Sequence, residues 1–340
     1  KENKDMLMYQ DVPYVAGTYA ISRPEVNIGS IQNRGFEFTI GYNNTLGDLK
    51  YNFDMNISTV KNEVLGLATD SILAGAAHNV SPICLTRIGG SVADFYGFKT
   101  NGMFTQNDLG VSGGKIKIVN QPFTINTKGD TIYAQPDAKP GDVRYVDLNN
   151  DGKIDNKDKT ILGSPLPKFT YSFSINLVYK SFDLNMFFYG TYGNKLFNGT
   201  KQYLYYSQGN GNRLAVFANR YKEEIVKDGF VVVHENHNTD IPRFAASNYT
   251  RPSDFYIEDG SYLRLRNIQI GYTLPASLSK KMGIEKLRIY VGAKNLFTLT
   301  SYNAFNPEVS SGSGGLLGLG IDYGTYPATK MYLAGINLQF

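Results

Sequence analysis

The stretch best spaced for chemistry is Asp147-Leu148-Asn149-Asn150-Asp151-Gly152-Lys153-Ile154-Asp155-Asn156-Lys157-Asp158. Oxygen-bearing side chains fall at positions 1, 3, 5, 9 and 12 of this loop, with a glycine at position 6. That is the ligand spacing of an EF-hand: Asp147, Asn149, Asp151, Asp155 and Asp158 would offer side-chain oxygens, and Lys153 its backbone carbonyl. Gly152 permits the sharp turn and Ile154 supplies the apolar anchor. The expected ligand is a structural Ca²⁺ that pins the loop. Position 12 is Asp158 rather than Glu, so a shorter arm stands where a bidentate one is usual. Val143–Val146 reads as extended rather than helical, which argues against a calcium sensor. A solvated Asx-rich turn without metal is the alternative.

Little else invites chemistry. His234 and His237 lie close together, but they lack a third ligand and a rigid helical frame, so a surface loop is the simpler reading. Lys222-Glu223-Glu224 reads as the solvated face of a short helix, and Glu258-Asp259 as sequence neighbours rather than an acid–base pair. Phosphate loops and nucleophile elbows are missing. The sequence therefore reads as a non-enzyme.

What must position the Asp-rich loop is a series of runs that change face at every second residue. Phe36, Phe38, Ile40 and Tyr42 alternate with Glu37, Thr39 and Gly41; Tyr51, Phe53, Met55 and Ile57 alternate with Asn52, Asp54 and Asn56. Phe169 to Tyr179, Phe182 to Phe188, Ile268 to Tyr272, Leu287 to Ala293 and Tyr332 to Phe340 repeat the pattern, making about seven strands. Each runs to roughly 9–12 residues, the length a tilted strand needs to cross a bilayer. The connections alternate between short ones near 43–48, 180–181 and 275–286 and long ones over 63–168, 194–259 and 298–329. The last includes a Gly-rich stretch at 310–320. Short turns on one rim and long loops on the other belong to outer-membrane barrels. A sandwich has no reason for that asymmetry.

These observations predict an all-β, transmembrane antiparallel β-barrel wall with long extracellular loops, residues 1–340 forming one barrel domain. The last strand would run toward the short-turn side. Tyr332, Ile336, Leu338 and Phe340, in phase along it, would form the membrane-assembly signal. Seven strands leave two unpaired edges and an odd count, so the chain is expected to be the last part of a longer polypeptide.

Composition agrees. Among 340 residues there are 25 Tyr, 20 Phe and 35 Gly but no Trp, a mixture that favours strands and tight turns. The formal charge is +4, from 34 basic and 30 acidic residues, without a basic block that would bind nucleic acid. No run is long and apolar enough for a membrane helix. The polar opening from Lys1 to Asp5 is not a secretory signal and fits a processed or truncated product. Cys84, the single cysteine, has no partner for an internal disulfide.

Several stretches together resemble one family, the SusC/RagA-like TonB-dependent transporters. They are Asn27-Ile28-Gly29-Ser30-Ile31-Gln32-Asn33-Arg34-Gly35-Phe36-Glu37; Gly141-Asp142-Val143-Arg144-Tyr145-Val146-Asp147 leading into Asp151-Gly152; and Ile161-Leu162-Gly163-Ser164-Pro165. They continue with Asp259-Gly260-Ser261-Tyr262-Leu263-Arg264-Leu265-Arg266-Asn267, Val291-Gly292-Ala293-Lys294-Asn295-Leu296-Phe297 and the terminal strand. The resemblance covers nearly the whole chain. It implies a barrel of about 22 strands, of which this chain would be the last seven. It also implies import of oligosaccharides or peptides, driven through TonB and capped by a SusD-like surface lipoprotein. The family's N-terminal plug and TonB-contacting segment have no counterpart in these residues. Exposed aromatics in the long loops, Tyr203, Tyr205, Tyr206 and Tyr302, are candidates for stacking on sugar rings, with ordinary loop packing as the alternative. Two other readings stay open: a secreted, calcium-stabilised β-sandwich that binds carbohydrate, and a siderophore receptor with the same barrel.

Overall fold

A computed structural model describes residues 1–9, 24–206, 211–227, 230–309 and 315–340. Eight strands form one antiparallel sheet: β1 (Glu2–Tyr9), β2 (Glu25–Leu46), β3 (Leu49–Gly66), β4 (Phe169–Tyr179), β5 (Phe182–Tyr192), β6 (Tyr262–Thr273), β7 (Lys286–Thr300) and β8 (Met331–Gln339). Each pairs with its neighbour in sequence, so the sheet is an uninterrupted meander with β1 and β8 at its edges. The sequence reading found seven and missed β1. That strand begins in the polar opening and is broken by two register shifts, with Asp5 at φ 55°, so it shows no clean alternation. A sandwich would need its long strands divided between two facing sheets; all eight lie in one.

Register fixes the faces. Phe38 pairs with Ile57, Ile57 with Tyr171, Tyr171 with Gly190 and Leu184 with Ile270, so the aromatic and aliphatic positions of successive strands share one side. That side is bare: Phe36 is 85% exposed, Tyr332 72% and Phe340 84%. An apolar surface of this extent does not belong in water. Its rings run the height of the band, with Phe173 stacked on Phe188 (4.4 Å) midway and further contacts at both ends. Phe169 stacks on Tyr192 (4.9 Å) near the long-loop end, while Tyr42–Tyr51 (5.9 Å) and Phe182–Tyr272 (4.8 Å) lie near the short-turn end. Aromatic girdles flanking an apolar band mark a membrane-facing wall.

The short turns are tight. Gly47-Asp48 and Lys180-Ser181 close two-residue hairpins, with Gly47 at φ 59° and Lys180 at φ 52°, the left-handed backbone such turns demand. At the other end β2 and β3 run on together for 22 and 18 residues, beyond what a bilayer requires.

There the long loops fold as one body. Strands Ser71–Ala74, Cys84–Arg87, Asp94–Phe98 and Lys159–Gly163 make a four-stranded sheet. Lys195–Asn198 lies between Ile257–Asp259 and Ile321–Asp322 in a second sheet that joins two loops. Phe95, Ile83 and Cys84 from the first long loop pack with Phe197, Tyr205, Tyr249 and Tyr256 from the second and Ile321 from the third. Burial of this kind stabilises each large side chain by about 1.5–3 kcal/mol. Polar ties cross the same boundaries: Thr100 Oγ1 donates to Asp254 at 2.6 Å, and Asn248 Nδ2 to Asp142 at 2.8 Å.

Candidate functional site

The inner face of the sheet carries the residues opposite in phase to the aromatic set, and it is polar. Asp54 accepts from Asn52 (2.8 Å) and Ser174 (3.3 Å), and Asn56 donates to Thr39 (2.9 Å). Asn176, Asn185 and Asn267 form a ladder across β4, β5 and β6, with Asn267 donating to Asn185 at 3.0 Å. Arg288 on β7 grips Asp183 on β5 with two bonds, Nε to Oδ1 at 2.9 Å and Nη2 to Oδ2 at 2.6 Å. The guanidinium passes over Gly271 on the intervening strand, where a Cβ would lie 2.5 Å from Arg288 Nη2 and 2.4 Å from Asp183 Oδ1. Glycine at 271 is what allows a pair two strands apart to close.

Higher on the inner face is a denser cluster. Arg264, 3% exposed, donates to Thr298 Oγ1 (2.8 Å), Glu308 Oε2 (2.6 Å) and Asn306 Oδ1 (3.0 Å). Glu308 also accepts from Tyr262 at 2.6 Å and from Arg266. Burial alone would raise the Glu308 carboxyl; Tyr262 and the two guanidiniums outweigh it and hold the group below its usual range. Arg266 stands where β6 bulges, 4.5 Å above the Tyr189 ring. Beside it is a cavity of about 380 Å³ lined by Tyr189, Thr191, Asn194 and Tyr262, with Pro307 and Glu308 over it. The long-loop end thus has an inward recess that offers aromatic faces and charged groups together, suited to a hydrated solute.

The Asp-rich loop has the frame expected of it. Asp147 accepts from Asp151 N (3.2 Å) and Gly152 N (2.8 Å), Asn149 from Asp151 N (3.0 Å), and Asp151 from Lys153 N (3.0 Å). Gly152 has φ 76°, and a Cβ there would sit 2.4 Å from the Phe123 carbonyl, so both backbone and space require glycine. Asp155 caps a turn of 3₁₀ helix, Asn156–Asp158. Asp158 is fully buried and accepts from Leu148 N (2.9 Å) and Asp155 N (2.8 Å). The side chains are turned onto the loop's own amides, and among the described residues no three acidic, histidine or cysteine groups converge as a metal site does. The donor set is nonetheless all oxygen, the chemistry a hard cation takes.

No family model matches the chain. TonB-dependent receptor P3 of Formosa agariphila is 31% identical across the whole of it, and SusC of Bacteroides thetaiotaomicron 24% identical, again across the whole. The solved structure of the RagAB peptide transporter superposes on all of it with a TM-score of 0.68 at 22% identity. Over its whole length the chain is a SusC-like homologue of part of these TonB-dependent receptors. It spans about a third of the curated relatives it matches, 31% of the first and 29% of SusC.

Within this SusC-like wall, the sequence-derived candidates fall in different places. Tyr332, Ile336, Leu338 and Phe340 all point outward from β8 and are exposed. Of the four loop tyrosines, Tyr205 and Tyr302 are buried, and Tyr206 stacks on Tyr249 at 5.8 Å. Packing requires them, and only Tyr203 is substantially exposed, stacked on His78 at 4.4 Å. His237 stacks on Tyr221 and faces Glu223 at 3.4 Å, so no metal pair forms with His234. Lys222 to Glu224 is not helical, Lys222 bridging to Asn236. Part of the Gly-rich stretch, 310–314, lies outside the described residues. The sequence reading did not find the Arg264–Glu308 cluster or the Asp183–Arg288 pair. Arg288 and Asp183 each occupy a polar phase position, which was the available signal, but they lie 105 residues apart, and Arg264 and Glu308 lie 44 apart.

Proposed function

We propose that this chain forms part of the wall and outer mouth of an outer-membrane importer of oligosaccharides or peptides. It would be driven through TonB, with a SusD-like lipoprotein as lid. The observation that carries this reading is the division of one sheet into an outward apolar face with aromatic rings at both ends and an inward face of Asn, Asp, Ser and Arg. A wall built that way holds a wet passage through lipid. The recess at Tyr189, Tyr262 and Arg266 would meet the solute at the mouth. The test is deletion of the full-length gene, followed by growth on single glycans, peptides or iron chelates, with co-purification of the tagged protein from detergent extracts. Loss of growth on a glycan or peptide and recovery of a lipoprotein support the reading. Growth lost only on iron chelates moves the chain to the siderophore receptors.

We also propose that Asp147, Asn149, Asp151, Lys153, Asp155 and Asp158 hold a structural Ca²⁺ in the first long loop. Asp158 favours it: a fully buried carboxylate with no basic side chain among its partners in the described residues, which a cation would offset. When bound, calcium would supply only the tie that fixes the loop. Protease resistance of this loop in the presence of calcium, lost on chelation, is the expected result.

A further inference from the structure

Above Ser58 the wall has a notch. Pairing of β3 with β4 ends at Thr170↔Ser58, yet β3 continues to Gly66. Higher up, Val64 is met by the Gly89-Gly90 turn through bonds of 2.8 and 2.9 Å. Between these two closures is a cavity of about 720 Å³, bounded by β2 and β3 on one side and by Ser91, Ser164 and Lys168 on the other. Of its β2 and β3 lining, Arg34, Phe36, Thr59, Lys61 and Glu63 are in phase with the membrane-facing set and form an outward mouth, while Val60 and Asn62 are in the opposite phase.

The charge is uneven. Three cations, Arg34, Lys61 and Lys168, share the notch with one carboxylate, Glu63, which sits 3.5 Å from Lys61. Among the described residues, neither the Arg34 guanidinium nor the Lys168 ammonium has a protein partner. Below them Phe36, 85% exposed, begins the apolar band, and Phe169 and Tyr192 continue the girdle at that height. Arg34 is two residues above Phe36, roughly 7 Å along the strand. That is where a leaflet's phosphates lie. The volume is that of roughly twenty waters, far more than one phosphate needs.

We infer that this notch is a binding site for the phosphorylated head group of a glycolipid in the outer leaflet. Arg34 and Lys168 would contact phosphate, and Phe36 the first acyl carbons. The inference rests on the membrane placement proposed above.

The test uses the full-length protein, delipidated in neutral detergent, with native mass spectrometry counting retained lipid. The probes are bis-phosphorylated lipid A, its dephosphorylated form and inorganic pyrophosphate. Wild type should retain lipid A at least tenfold better than the dephosphorylated form, and Arg34→Gln/Lys168→Gln should lose that preference. Lys280→Gln/Lys281→Gln, at the opposite rim, should keep it. Heat-modifiable electrophoretic mobility confirms that each variant is folded. Equal retention of both lipids, or an unchanged preference in the Arg34/Lys168 variant, would overturn the inference, as would displacement of lipid A by equimolar pyrophosphate. Flotation with phosphatidylcholine vesicles tests the membrane placement separately.

Discussion

The wall and the cap above it use the same aromatic residues in opposite ways. In the wall, Phe36, Phe38 and Tyr332 face outward and are exposed; in the cap, Phe95, Tyr249 and Tyr256 are at 0% exposure. The wall's strands are regular because successive residues must meet lipid and water in turn. The cap is irregular because its side chains need only meet one another. Fold and solvent can thus be read from the first region's sequence, whereas the second obeys packing that links residues far apart in the chain.

The sharpest break of this comparison is truncation in the cap. Tyr249→Ala or Phe95→Ala should cost about 3–5 kcal/mol, seen as a lower urea midpoint and as early proteolysis of the loops in the full-length protein. Phe38→Ala in the wall should barely move either readout in detergent. A charge in the wall reverses the order: Ile40→Arg, midway between Phe36 and the short turn, should cost about 2–4 kcal/mol in a bilayer, while Ser172→Arg on the inner face should cost little. Equal penalties at 40 and 172 would sink the two-faced reading.

The junction between the regions is the Arg264–Glu308 cluster, and Glu308→Gln should cost about 3 kcal/mol because it strands a buried guanidinium. The pH dependence follows from the direction of the Glu308 shift. Its folded value lies below the ordinary 4.5, so its stabilisation is fully present above that pH and is lost as pH falls through the folded value. A urea series from pH 6 to pH 3 should show a loss that Glu308→Gln removes. Next in size, chelation or Asp151→Ala should expose the 147–158 segment to protease; an unchanged digest of metal-stripped protein ends the calcium proposal. The smallest effect belongs to the exposed Lys180–Asp48 pair, 3.6 Å apart, where Lys180→Ala should fall within about 0.5 kcal/mol.

Strands β2 to β8 were legible because their aromatic positions keep a period of two over many residues. β1 was not, because bulges at Met6 and Leu7 break the period within eight residues. The backbone of the Asp-rich loop was legible down to the left-handed Gly152, since that conformation depends on local spacing. The inward cluster was hidden for the opposite reason. Arg264, Asn306 and Glu308 meet only after a loop returns to the wall, and nothing in their own neighbourhoods announces it. Tyr205 and Tyr302 follow the packing alternative for the same reason: an aromatic in a loop looks available until the other loops are placed around it.

Because Phe95, Tyr249 and Ile321 lie in one core, the three loops cannot swing separately. Covalent continuity within any one of them becomes partly redundant: a backbone nick near the surface would leave both fragments held by the other two. A partner seated on one loop would push on all of them, so the mouth would respond to load as a collar rather than as three fingers.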